Sequence, residues 1–364
     1  MAGERIGALY QELCQIVWRE PELLDSFFHL PPFYKLMWLA SDGDWHGFAR
    51  MDLFHCDDDT LKVCELNADT PSGQVEALVP YPFIAPHYQA LRPLNGDYEE
   101  RLWRVLLRYH RRRTGDESEP RCIGIVFPTD LPEDITLIRL YQRWFEARGA
   151  SVVLGSPLNL ARAPDGGVLV LGQQVDLILR HYKTDWWGER PRIFADEDEV
   201  PDPEPLSAEV GLLLDAERKG KVAVVNPFGS LLPQDKLSMA FFHEEKHRFS
   251  EAAQQTITDL IPETRRLDSL DKEQLKNERE QWVLKSDFGC EGDEVLVGPN
   301  VSDEQWSLAL DAALPALRAL TPDVLANAIE ASDMLGRALV LARLTEIHER
   351  YVSNVDRPGL RPDA

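Results

Sequence analysis

Residues 50–73 read RMDLFHCDDDTLKVCELNADTPSG. Within them and just upstream, HGFARMDLFHC (46–56) and LKVCELNA (61–68) keep a period of two around the turn-forming DDDT. That pattern predicts a β-hairpin. Residues two apart on a strand share a face, so Arg50 and Asp52 point one way, and Glu65, Asn67 and Asp69 share a face of the partner. If the two faces coincide, one surface carries an arginine, two or three carboxylates and a carboxamide. Magnesium takes hard oxygen ligands, commonly one or two carboxylates completed by water and substrate phosphates. Asp52, Glu65 and Asn67 supply such a set, and Arg50 would face a phosphoryl group in transfer. The alternative is an exposed, salt-bridged hairpin.

Outward from the hairpin the period changes. Residues 1–40 read as helices, with IGALYQELCQIVW spaced at three and four and LPPFYKLMWLA following a proline break. Residues 74–115 return to helical character. They end in YEERLWRVLLRYHRRR, whose basic cluster suits a solvated helix C-terminus. From 121 to 183 strand and helix alternate: RCIGIVF, a buried strand; DITLIRLYQRWFEARG, a helix closed by glycine; then SVVLG, GVLVLG and VDLILRHYK. This is an α/β pattern with a parallel sheet. No GxGxxG signature accompanies it, so it does not imply NAD. The acidic, proline-rich DEDEVPDPEPLSAE (196–209) reads as a linker, KVAVVNPFGSLLPQDKLSMAFF as strand, turn and helix, and residues from 301 onward as helices.

The 364 residues carry a formal charge of −23, with 44% hydrophobic and 28% charged side chains. Length and composition suit a globular protein of one large domain or a few interlocked ones. The acidity argues against nucleic acid as a partner. Five cysteines without CxxC spacing fit reduced thiols in the cytoplasm. MAGERIGALYQELCQIVWRE lacks a basic start followed by an apolar run, so no signal peptide is expected, nor any membrane span.

Four further stretches bear on chemistry. In WVLKSDFGCEGDEVLVG, Lys285 ends a strand, and Gly289 and Gly292 lie in the loop that follows. Such a hairpin can close over a nucleotide, the lysine meeting phosphates and the glycines allowing close backbone approach; an ordinary hairpin is the alternative. Lys236, near a helix start in LLPQDKLSMAFF, is either a second phosphate contact or an exposed lysine. HYKTDWWGERPR (181–192) is either a core anchor or a wall of a nucleotide or substrate pocket. FFHEEKHRF matches HExxH, so His243 and His247 on one helix could hold zinc, with Glu244 as base and Glu263 as a candidate third ligand. A charged surface helix is the other reading.

Together RMDL, KVCELNADTPSGQVEA, YKTDWWGE, NPFGSLLPQDK and VLKSDFGCEG resemble, in order, the glutathionylspermidine synthetase-like ATP-grasp family over roughly residues 45–300. The resemblance implies an α/β (α+β) fold: a circularly permuted ATP-grasp fold with a pre-ATP-grasp α/β domain and extra helices at both ends. It implies an N-terminal helical segment (1–40), the metal-binding part of the core (41–115), the pre-ATP-grasp domain (116–200), a nucleotide-binding lobe (201–300) and a C-terminal helical segment (301–364). The implied reaction is ATP-dependent ligation of a small-molecule carboxylate to an amine through an acyl phosphate. Asp52, Glu65 and Asn67 would be ligands of two Mg2+ ions and Arg50 the phosphoryl stabiliser. Lys236, Lys285, Gly289 and Gly292 would meet the nucleotide, and Asp69, Thr70, Ser72 and Lys183 the substrate. Homo-oligomerisation is compatible with this; nucleic acid and membrane are not expected. The chain departs from the family at two points. Cys290 stands where the glycine loop usually carries an arginine. From about residue 305 the sequence reads as helices where the family continues in strands, and a non-catalytic nucleotide-binding relative is the corresponding alternative.

Overall fold

The elements follow from the periodicities above. In chain order they are helix α1 (Ala2–Arg19), strands β1 (Arg50–His55) and β2 (Leu61–Asn67), helix α2 (Tyr98–Thr114), strand β3 (Cys122–Val126), helix α3 (Ile135–Ala147), and strands β4 (Ser151–Gly155), β5 (Leu160–Arg162), β6 (Val168–Val170), β7 (Gln173–Val175) and β8 (Leu177–Arg180). Helix α4 (Ser207–Arg218), strand β9 (Ala223–Val225), helices α5 (Leu237–Glu244) and α6 (Glu251–Leu260), strands β10 (Val283–Lys285) and β11 (Val295–Val297) and helix α7 (Asp303–Arg318) complete the set. This computed structural model describes residues 2–87, 95–131, 133–188, 205–287 and 295–318, with side chains to residue 311. The fold is mixed α/β, as the sequence predicts. The described residues form two compact units: those of 37–52 with those of 66–231, and those of 2–36 with 53–65 and those of 232–318. The chain passes from one to the other within the β1–β2 hairpin.

The unit containing 66–231 is built on a four-stranded sheet of order β4-β3-β8-β9, every pair parallel. Its strands are near-continuous apolar runs, as parallel strands covered on both faces require. Alternation along β3 sorts the faces. Ile123 and Ile125 join a core with Leu102, Leu106 and Tyr109 of α2 and Leu137, Ile138 and Tyr141 of α3. Gly124 faces the opposite way, toward the antiparallel meander β5-β6-β7, where a Cβ would come within 3.0 Å of a Val170 methyl. Only glycine lets the meander approach the sheet so closely.

In the other unit, α1 buries Ile6, Leu9, Leu13 and Val17, a stripe at three- and four-residue spacing. Its Tyr10 meets Phe242 of α5 edge-on at 5.0 Å. A separate cluster joins Leu275, Trp306 and Leu310, with Trp282, Leu284 and Leu296 packed against it. It carries the antiparallel β10–β11 hairpin, paired Val283↔Val297 and Lys285↔Val295.

Two boundaries differ from the periodic reading. β1 begins at Arg50 rather than in the preceding HGFA, because the Asn226 carboxamide oxygen accepts the Gly47 and Phe48 N–H groups at 2.7 and 3.1 Å, taking a strand partner's place. Of the acidic stretch 196–209 only the last residues are described, and Ser207 already opens α4. Gly289, Cys290 and Gly292, and the sequence after residue 318, lie outside the described residues. Among the described residues no helix is long and apolar enough to cross a membrane.

Candidate functional site

The root of the hairpin gathers three predicted side chains. Arg50 and Asp52, two apart on β1, form a two-pronged ion pair: Arg50 Nε donates to Asp52 Oδ1 at 2.7 Å and Nη2 to Oδ2 at 2.9 Å. This fork-to-fork geometry is the strongest arginine–carboxylate arrangement. Asn67 of β2 donates its amide to Asp52 Oδ2 at 3.2 Å. Arg50 Nη1 also donates to the Ser72 carbonyl at 3.1 Å. Gly73 follows with φ +95°, a left-handed turn that opens the short helix Gln74–Leu78, and a side chain there would add backbone strain close to the guanidinium. Arg50 is 40% exposed and Asp52 33%, so solvent and ligand reach the pair. Glu65, two residues before Asn67 in the same strand, shares its face by the strand period.

Glu65, Lys236 and Lys285 belong to the other unit. There Lys236, only 16% exposed, places Nζ 3.7 Å from a Glu65 carboxylate oxygen. Lys285 Nζ lies 3.8 Å from Cys64 Sγ, on the residue before Glu65. The Lys236 N–H donates to the Asp287 carbonyl at 3.0 Å, tying the start of α5 to the segment leaving β10. That bond brings the two predicted phosphate-contacting lysines onto neighbouring backbone. Asp235, beside Lys236, was not singled out by sequence. Its carboxyl is buried, Oδ1 accepts the Leu237 N–H at 2.8 Å, and Oδ2 has no hydrogen-bond partner among the described residues. Burial, with Asp287 adding to it, pushes this carboxyl well above the usual carboxylate range.

The residues assigned to substrate have different surroundings. Asp69 is buried, and its oxygens accept from Arg180, Thr184 N (2.6 Å), Thr184 Oγ1 (2.6 Å) and Ser230 Oγ (2.8 Å). Arg180 is itself fully buried and also donates to the carbonyls of Tyr182, Asn226 and Pro227. Burial alone would raise the Asp69 carboxyl, but Arg180 and the hydrogen bonds outweigh it and hold it below the ordinary value. Asn226 completes the frame, donating to the carbonyls of Phe48, Ala68 and Asp69. Asp69 therefore anchors the strand that carries Asn67. Thr70 is half-buried, and Ser72 gives its carbonyl to Arg50. Lys183 lies 3.7 Å from an Asp185 oxygen and over the Trp186 ring at 5.0 Å. Sequence reading missed Arg180 and Ser230; the one signal was a charged residue closing the apolar run LILR.

The HExxH segment is not a two-histidine helix. Helix α5 stops at Glu244, and His247 stands exposed in the turn Lys246–Arg248. His243 Nε2 is bonded to the Pro262 carbonyl at 2.8 Å. Glu244 accepts from Arg266 N, Arg266 Nε and Ser269 Oγ. Among the described residues no group of three His, Cys, Asp or Glu side chains is placed to hold a metal. For magnesium the test is different, because a carboxamide and substrate phosphates count as ligands. Two carboxylates and one carboxamide on one hairpin are the right donor chemistry, provided Arg50 releases Asp52.

No family model matches the chain, and no curated protein matches it. Among solved structures it is similar to a glutathione synthetase-like effector (GSS30) from Globodera pallida in apo form, at 11% identity and a TM-score of 0.49, over 84% of this chain and 68% of that one.

Proposed function

We propose that this chain is an ATP-dependent carboxylate–amine ligase of the circularly permuted ATP-grasp kind. The observation that carries the reading is the Arg50–Asp52–Asn67 cluster at the hairpin root: a cation, a carboxylate and a carboxamide held together while partly open to solvent. The motif order along the sequence supports it. Asp52, Glu65 and Asn67 would hold Mg2+, and Lys236 and Lys285 would meet the nucleotide phosphates. Mg2+ held there would supply neutralisation of the charge on the nucleotide phosphates.

Arg50 then changes partner. In place of the Asp52 carboxylate, its guanidinium pairs with oxygens of the γ-phosphoryl group and stabilises charge as the P–O bond to ADP breaks. A substrate carboxylate oxygen takes the phosphoryl group and ADP leaves. The amine nitrogen of the second substrate attacks the acyl carbon, the C–O bond to phosphate breaks, and the amine proton passes to solvent. The protein's contribution is positioning and fixed charge.

The experiment is to measure ADP release with acid and amine added separately and together. The reading predicts release only with both, and its loss in Asp52→Asn and Glu65→Gln. Normal turnover in either variant would refute the assignment. A second reading, a nucleotide-binding relative without catalysis, is favoured by one feature: both Asp52 oxygens are already taken by Arg50. It predicts stabilisation of the protein by MgATP with no ADP from any substrate pair.

A further inference from the structure

Helix α2 carries an arginine stripe that the proposed reaction does not use. Arg104, Arg108, Arg111 and Arg112, with Leu107 and Glu117, line a hollow of about 470 Å³. Spacings of four, seven and eight put these arginines on one face, along about 12 Å of helix. Attraction to the helix C-terminus explains Arg111 and Arg112, which fall in the last turn. It does not explain Arg104 and Arg108, which lie before it. The existing partners are weak holders. Arg104 pairs with Glu100 at 2.9 Å and Arg111 with Glu117 at 3.4 Å, both exposed, and Arg112 pairs with Asp44 while lying over the Tyr109 ring. The two exposed pairs, Arg104–Glu100 and Arg111–Glu117, are screened by solvent and open readily to a stronger anion. No carboxylate partner of Arg108 is found among the described residues. The titratable group beside it is His46, whose imidazole is pushed down to about 4 by burial and by the Arg108 charge. The lining holds four guanidinium groups and one carboxylate in a chain of net charge −23.

We propose that this hollow is a binding site for a compact polyphosphate-class anion. The guanidinium fork matches phosphate oxygens two at a time, and successive arginines one helical turn apart can each take a phosphoryl group. The occupant is small. A long polyanion would meet the protein's overall negative field, whereas a compact one within about 8 Å of the helix is governed by the local arginines. The site's arginines all lie on α2, and it is independent of the ligase reading.

The test is calorimetric titration of the full-length chain with inorganic tripolyphosphate, in EDTA so that no metal-dependent binding contributes. Binding should be saturable, weaken several-fold between about 0.05 and 0.5 M salt, and weaken about tenfold or more in Arg108→Gln/Arg111→Gln. These are exposed positions, so the melting temperature should stay within about 2 °C of the parent. Lys285→Gln, which removes a cation from the proposed nucleotide site, should bind tripolyphosphate like the parent, which separates the two sites. The proposal is overturned by absent binding, by equal binding in the double variant, by loss of binding in Lys285→Gln, or by tighter binding of a polyglutamate peptide.

Discussion

Asp69 shows what a single residue's surroundings decide. By alternation it belongs with Glu65 and Asn67, and the sequence pattern sets it on their face. β2, however, ends at Asn67, so the period stops two residues short of it. The carboxylate turns inward to Arg180 instead, where a buried guanidinium needs a counter-charge. Removing one partner of such a pair leaves the other charge unpaired and costs about 3–5 kcal/mol. Asp69→Ala should therefore lower unfolding stability by that amount in urea titration, and a cost below about 1 kcal/mol would contradict the anchoring role. The carboxyl is held below its ordinary value, so its contribution is present above the ordinary carboxylate range and is lost as pH falls through the folded value. Arg50, Asp52 and Asn67, by contrast, were legible because they sit inside the strands, where the period holds.

Among the elements, α2 and α4 are tied at their ends by Arg113 and Glu217. The Arg113 guanidinium approaches the Glu217 carboxylate at 3.6 Å, and a Glu217 oxygen accepts the Val224 N–H at 3.0 Å. Burial pushes the Glu217 carboxyl up to about 7, with Arg113 opposing only in part. A raised carboxyl favours the fold when protonated, so this contribution is present in full below the unfolded value near 4.3 and is lost as pH rises through about 7. Glu217→Gln keeps the neutral form at every pH. Its melting temperature should match the parent near pH 4 and exceed it by about 5 °C at pH 8; equal midpoints at pH 8 would contradict the burial argument.

The same scale explains the failed HExxH helix. Phe249 is buried against Phe241 and Phe242 at 6.0 and 5.6 Å, which turns the chain after Glu244, and Ser250 then caps α6 by accepting the Ala253 N–H. A five-residue motif does not contain that information, because the residue that ends the helix lies outside it. Long strand and helix runs, such as CIGIV and ITLIRLYQRWFEA, carry their own period and were read correctly.

Over the whole molecule, the sequence order of the motifs placed the hairpin, the α/β sheet and the lysine-bearing strands, and all three are present. The division into two units was not legible, since each is assembled from segments far apart in the chain and the hairpin contributes to both. Arg50, Asp52 and Asn67 belong to one unit, and Glu65, Lys236 and Lys285 to the other. The ligase proposal requires Asp52 and Glu65 to serve one metal–nucleotide complex, so the two variants must fail alike. Mn2+ substitutes for Mg2+ at oxygen sites and is read directly by electron paramagnetic resonance. The decisive measurement is Mn2+ titration of the protein with and without ATP, in the parent, Asp52→Asn and Glu65→Gln. The account predicts nucleotide-dependent Mn2+ binding in the parent that is weakened about tenfold or more in both variants; undiminished binding in folded Asp52→Asn and Glu65→Gln would contradict it.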